Sequence, residues 1–154
     1  MVIIVDTREQ LPYWTTNRKT LLVGDYTTRV LHNHFHIERK SLQDLYGTII
    51  QGNRRFKYEL FRAAYNQIKI AVYVEGCYTD FIAKKFPKGS ERKCTSEKLA
   101  KIIRAFELKY HVEFVWLSCR AHCIDAVRTR LQREEKALSP ALVFKRTGKA
   151  LKSR

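Results

Sequence analysis

Residues 30–44 read VLHNHFHIERKSLQD, and the fold is decided there. Val30, His32, His34, His36, Glu38 and Lys40 share one parity, with Leu31, Phe35 and Ile37 on the other, which is the period of a strand. Asn33 interrupts the stretch and predicts a turn, so two strands form a hairpin. The earlier strand begins at Leu21–Val23 and is punctuated by Gly24. Ser41 and Asp44 then make a capping-box-like pair, with Asp where Glu or Gln is usual, and open a helix through Ile50. Leu42, Leu45 and Ile49 fall on one face of that helix. His32, His34 and His36 read as a solvent-facing hairpin tip rather than a metal cluster, with His36 nearest to Glu38.

Working outward, Val2–Val5 is a short β-branched run that predicts a buried strand. Residues 11–20 carry Pro12 and polar groups and read as a loop. After the break at Gln51-Gly52-Asn53, a helix is expected from about Arg54 to Gln67 with Phe56, Leu60 and Ala63 inward. Ile68–Glu75 (IKIAVYVE) predicts another buried strand, ended by Gly76. Residues 84–94 form a basic loop. Thr95 or Ser96 caps a helix whose Leu99, Ile102, Ile103 and Phe106 follow helical spacing. Val112–Leu117 predicts a strand, and Cys119 to Lys136 a helix burying Ile124, Val127 and Leu131, with Pro140 just beyond its end. The order of elements predicts an α/β domain with a central mixed β-sheet flanked by helices. Its extent is 1–137, followed by a basic flexible tail over 138–154.

The chain has 154 residues, 45% hydrophobic, enough for one domain with a core. Lys plus Arg is 30 against 15 acids, a net charge of +15. Such a chain attracts phosphate polyanions through counterion release. Apolar runs are too short to cross a membrane, and Asp6 spoils a secretory leader. No membrane partner is expected, and the protein is expected in the cytoplasm, nucleoid-associated in a bacterium or phage and nuclear in a eukaryote. Cys77, Cys94, Cys119 and Cys123 read as reduced thiols. Cys119 and Cys123 share a helix face but lack the second pair of a zinc site.

Three clusters of acid and base stand at strand ends: Asp6-Thr7-Arg8-Glu9, Gly24-Asp25 and Glu38-Arg39-Lys40. Glu38 and Lys40, two apart on a strand, project together, and Asp25 on the neighbouring hairpin strand can converge on them. Two carboxylates offer hard oxygens suited to Mg²⁺ or Mn²⁺. A lysine beside them can orient or deprotonate water, or offset charge on a phosphorane-like transition state. This is the equipment for hydrolysing a phosphodiester.

The residues V-D-T-R-E at 5–9, G-D at 24–25 and E-R-K-S-L-Q-D at 38–44 resemble the nuclease domain of the XPF family of structure-specific endonucleases, and I-A-V-Y-V-E-G at 70–76 is similar to the family's next strand. The likeness spans roughly residues 2–130. It implies a restriction-endonuclease-like fold with a PD-(D/E)xK core and a Mg²⁺- or Mn²⁺-dependent endonuclease acting on branched, flap or fork DNA near junctions of single and double strand. No small-molecule cofactor is implied. Carried over, Asp25 and Glu38 are metal ligands and Lys40 the catalytic lysine. Asp6 and Glu9 line the site. Arg8 and Arg39 orient acids or contact the scissile phosphate, and Asp44 supports Lys40 or Arg39. Glu75, ending its strand near the site's edge, supports the metal or pairs with a basic neighbour. Larger relatives append a helix-hairpin-helix module, for which no room remains after residue 137. Relatives also pair through this domain, so a homodimer is expected through the helices at 96–109 and 119–136, with a monomer as the alternative.

Arg54, Arg55, Lys57 and Arg62 crowd one helix, and Lys84, Lys85, Lys88, Arg92 and Lys93 crowd the basic loop. With the net charge, both read as DNA contacts. Six basic residues and no acid lie between Lys136 and Arg154. Tyr13, Trp14 and Phe86 are candidates for stacking on unpaired bases, with core packing as the plainer reading. Glu91-Arg92-Lys93 repeats the tripeptide, but no apolar strand precedes it, and it reads as a solvated loop. Two rival functions remain: a non-catalytic DNA-binding or scaffold module of the same fold, and a nonspecific DNA or RNA nuclease. Inactive partners in the family typically lose the acids or the lysine, all of which are present here.

Overall fold

Alternating apolar residues on β-branched runs produce five strands, and helical apolar stripes cover both of their faces. The computed structural model describes residues 1–87 and 94–150, excepting the side chains of 139–150. In chain order the elements are β1 (Ile3–Val5), β2 (Tyr26–Thr28), β3 (Phe35–Ser41), α1 (Leu42–Ile50), α2 (Asn53–Tyr65), β4 (Lys69–Glu75), α3 (Tyr78–Ile82), α4 (Ser96–Tyr110), β5 (Glu113–Leu117) and α5 (Arg120–Ala150). The sheet order is β1-β2-β3-β4-β5. β1, β2 and β3 are antiparallel neighbours, and β3, β4 and β5 run parallel. The expected mixed sheet is therefore present, with β3 at the switch between its two halves.

Each strand's alternation divides the core. Ile70, Val72 and Val74 of β4 meet Leu45 and Ile49 of α1, Phe56 and Leu60 of α2, and Leu99, Ile103 and Phe106 of α4. Ala71 and Tyr73 face the other way, onto Ile37, Val127 and Leu131, so α5 closes the second face. The apolar stripes expected to join two subunits thus cover the chain's own sheet, because a sheet apolar on both faces needs both helices. Leu108 of α4 stays 60% exposed.

Local signals act as read at several points. The Ser41 hydroxyl accepts from the Asp44 amide at 3.1 Å and donates to its carboxylate at 2.7 Å. The Thr95 hydroxyl likewise caps α4, accepting from the Lys98 amide at 3.3 Å. Three expectations are corrected. Leu21–Val23 is not a strand, because its backbone groups are taken by side chains rather than by a ladder. His36 is not at a solvent-facing tip: it is fully buried, with its ring nitrogens on the carbonyls of Val23 (2.6 Å) and His32 (2.7 Å). α5 does not end near Lys136 but runs through Pro140 to Ala150. Beyond the proline, Ala, Leu, Lys and Arg are good helix formers and carry the helix on. The remainder of the tail, 151–154, lies outside the described residues, as does the second E-R-K at 91–93.

Leu131→Ala tests the closure by α5. Leu131 is fully buried, so its truncation should destabilise the protein by about 2–5 kcal/mol in chemical denaturation. A change within about 0.5 kcal/mol would mean that α5 does not pack there.

Candidate active site

The site is built on a backbone turn. Gly24 sits at φ +68°, and a Cβ there would lie 3.1 Å from the carbonyl oxygen of Ile37 and 3.2 Å from His36 Cβ. A glycine is what lets the chain approach β3 this closely. Several of the turn's backbone groups are met from outside it. The Leu21 amide donates to Asp6 Oδ2 at 2.6 Å, and the Gly24 amide to Glu59 Oε1 at 3.1 Å. The Asp25 amide donates to Ile37 O at 2.8 Å. The Arg39 amide then donates back to Asp25 Oδ2 at 2.7 Å. Asp25 is thereby clamped beside Glu38, as the spacing in the sequence suggested.

Strand parity sorts the remaining groups. In the parallel register Glu38 lies beside Val72 and Lys40 beside Val74, so both point to the α1–α2 face. Lys40 Nζ is 2.5 Å from Glu38 Oε1. Arg39 points to the opposite face. There its guanidinium binds Glu75 through Nε (3.1 Å) and Nη2 (3.3 Å) and lies 3.7 Å from Glu9. Arg120 (2.8 Å) and the Tyr13 hydroxyl (2.8 Å) also bind Glu75 Oε1. Glu75 is thus the hub of an ion-pair network behind the sheet.

The structure brings Asp25, Glu38 and Lys40 together, while Glu9, beside Arg39, adds its charge from behind the strand. Burial, then the Glu38 charge, pushes the Asp25 carboxyl well above its usual value, with Glu9 adding to the effect. Burial also raises Glu38, against the pull of Lys40, and Glu59 and Glu9 push in the same direction. For Lys40, burial alone would favour the neutral amine, but Glu38, Asp25 and Glu59 hold it above the usual lysine value.

Other expected site residues lie elsewhere. Asp6 is 1% exposed and saturated by the Arg8 side chain, the Arg8 amide and the Leu21 amide. Arg8 also donates to Leu21 O at 2.7 Å, so this pair fastens the start of the turn. Asp44 is engaged with Ser41 at the helix start. Tyr13 stacks on Tyr26 at 5.0 Å, Trp14 meets Tyr26 edge-on, and Phe86 packs on Tyr46 and Phe81, so the plainer reading of these three applies. Arg54, Arg55, Lys57 and Arg62 are exposed on α2. Lys85 is exposed and 3.7 Å from Asp80, and Lys84 opens the basic loop in a left-handed conformation. Lys88, Arg92 and Lys93 lie outside the described residues. Cys123 is buried against Val74 O, and burial pushes its thiol up to about 11, which suits a core residue and not a metal ligand. Glu59 was not foreseen. Its signal was being the lone acid in the basic helix RRFKYELFR.

The donor set fits a hard cation. Asp25 and Glu38 present carboxylate oxygens whose charged forms are disfavoured until a cation joins them. Among the described residues no three His, Cys, Asp or Glu side chains form a closed cage. Mg²⁺ does not require one, since it keeps several waters and takes one or two carboxylates plus substrate phosphate.

A family model described as the ERCC4 domain matches residues 4–129. Among solved structures, "XPF from Aeropyrum pernix" superposes with a TM-score of 0.68 at 18% identity, covering 94% of this chain and 70% of that one. A second, "XPF from Aeropyrum pernix, complex with DNA", gives 0.66 at 18% identity, covering 88% of this chain and 65% of that one. Among curated proteins none matches the chain. The shared architecture is the restriction-endonuclease-like fold.

The raised carboxylates carry a pH signature. Each binds its proton more tightly folded than unfolded, so their contribution is most favourable below the unfolded value and is lost as pH rises toward the folded one. Asp25→Asn removes the charge while retaining an oxygen for the Arg39 amide. In chelator, the variant should melt above the wild type at neutral pH, with the gap closing below about pH 4. Added Mg²⁺ should raise the wild-type Tm and not the variant's. A variant less stable than wild type at neutral pH contradicts the assignment.

Proposed function

The chain belongs to the ERCC4 domain family, and from that premise we propose that it is a divalent-metal-dependent DNA endonuclease cutting near junctions of single and double strand. The observation that carries the reading is the convergence of Asp25, Glu38 and Lys40 on one face of β3, two charge-strained carboxylates beside a protonated lysine. Asp25 and Glu38 would hold Mg²⁺ or Mn²⁺. The ion would polarise the scissile phosphate and lower the pKa of a bound water.

The protein's own groups do the remainder. Lys40 stays an ammonium under the pull of Glu38, Asp25 and Glu59, so it serves as a donor to the phosphate and offsets the negative charge that builds in the transition state. It is poorly suited to removing a proton from water in this state. Glu9 adds negative potential that favours cation binding. Arg39 and Glu75 act from behind the sheet, fixing the strand whose amide positions Asp25. The exposed cations of α2, together with the cations of the basic loop, contact the DNA backbone, and the basic stretch 138–154 adds to this field. The enzyme works wherever its DNA lies, in the cytoplasm or, in a eukaryote, the nucleus. A homodimer remains part of the reading, on a surface other than the apolar stripes of α4 and α5.

Cleavage of a panel of duplex, single-strand, flap and fork DNA with Mg²⁺ or Mn²⁺ tests the proposal. Cuts should cluster at junctions. Glu38→Gln should abolish turnover, and Lys40→Ala should slow it about 10²–10³-fold, both with DNA affinity within a few-fold of wild type. Wild-type turnover in Glu38→Gln would sink the assignment.

A further inference from the structure

We propose that the outer face of α2 is a stacking platform on which Tyr58, Phe61 and Tyr65 hold unpaired bases of a single strand beside the carboxylate site. The inference rests on the nuclease reading for its substrate and adds where the unpaired strand lies.

The helix reads NRRFKYELFRAAY over 53–65, and Phe56, Leu60 and Ala63 turn into the core. Successive residues advance by about 100° around a helix. Moving round from the buried stripe, Glu59 comes first, at its edge, reaching the Gly24 amide. Arg55 and Arg62 follow, then Tyr58, Tyr65, Arg54 and Phe61, with Lys57 beyond. Two arginines therefore separate the carboxylate site from an aromatic row along one helix.

That row is open. Tyr58 is 58% exposed, Phe61 65% and Tyr65 80%. Single apolar side chains on a surface need no explanation, but three aromatic rings in line form a patch that calls for a partner. The Phe61 and Tyr65 rings are 6.5 Å apart with planes 26° from parallel. Arg54 lies 5.6 Å over the Tyr58 ring. The three rings are staggered along the axis by about 4.5 and 6 Å. Nearly parallel π-faces with a guanidinium alongside are the features that hold bases in single-strand sites.

Charge selects the occupant. Arg54, Arg55, Lys57 and Arg62 are all exposed around the row, and Glu59, the helix's one acid, is directed at the turn. A second copy of this face would set four cations against four. A phosphate backbone neutralises them. Duplex DNA keeps its base faces stacked internally and gains little from the rings, whereas an unpaired strand offers them freely. Its phosphates would then run over Arg55 and Arg62 toward Lys40.

The test is fluorescence anisotropy of a labelled oligo-dT strand and of a hairpin duplex, in the Glu38→Gln background so that nothing is cut. Each of Tyr58→Ala, Phe61→Ala and Tyr65→Ala should weaken single-strand binding about fivefold or more. The ratio of single-strand to duplex affinity should fall accordingly, and Phe61→Tyr should retain it. An unchanged ratio in the triple alanine variant overturns the platform while leaving the nuclease reading intact, provided the wild type still cuts DNA. A wild type that neither binds nor cuts DNA removes both. A dimer in light scattering that the triple variant dissolves assigns the face to a second copy and also overturns the platform.

Discussion

The Gly24 turn presses against β3, and the placement of Asp25 depends on that contact. Three elements hold the turn. Asp6 at the end of β1, His36 in β3 and Glu59 in α2 each satisfy one of its backbone groups, and the carbonyl of Ile37 receives the Asp25 amide. Leaving one such buried group unmet costs about 1–3 kcal/mol. The position of Asp25 is therefore a property of the whole fold rather than of a loop. His36, which reads in sequence as a hairpin tip, and Asp6, expected to line the site, are structural members of this arrangement.

Strand alternation then separates two kinds of charge. One face of β3 carries Glu38 and Lys40, where burial and neighbouring acids raise the carboxylates of Asp25 and Glu38. The other carries Arg39, whose partners Glu75 and Glu9 are already in place, with Arg120 and Tyr13 closing the set. The paired network rigidifies the strand that carries Glu38 and Lys40. Buried ion pairs contribute little net stability but fix geometry well when fully hydrogen-bonded. That suits a strand whose backbone amide holds Asp25 in place. No helix among the described residues is long and apolar enough to cross a membrane.

Much of this was legible in the sequence, and the exceptions share a cause. Strand β3, the Ser41 and Thr95 caps and the inward faces of α1, α2 and α4 rest on local patterns, and local patterns can be read. Leu21–Val23 looked like a strand because its residues are apolar. Its backbone is instead held by Asp6, Arg8 and His36, partners 13 to 15 residues away. Glu59 was hidden for the same reason, since a lone acid in a basic helix has a role only once Gly24 is beside it. The short α3 carries too few residues for a period, and α5 outran a proline that marks a stop only on average. The convergence of Asp25, Glu38 and Lys40 was legible because their strand spacing places them together.

The direct measurement is Mn²⁺ binding by calorimetry to the wild type and to Gly24→Ala, each checked by circular dichroism. A Cβ at position 24 should push Asp25 off Glu38 without unfolding the sheet. Mn²⁺ affinity should then fall about 10–100-fold, the range expected when the support of a metal ligand is lost. A folded Gly24→Ala protein that binds Mn²⁺ as tightly as wild type would contradict the dependence of the site on this turn.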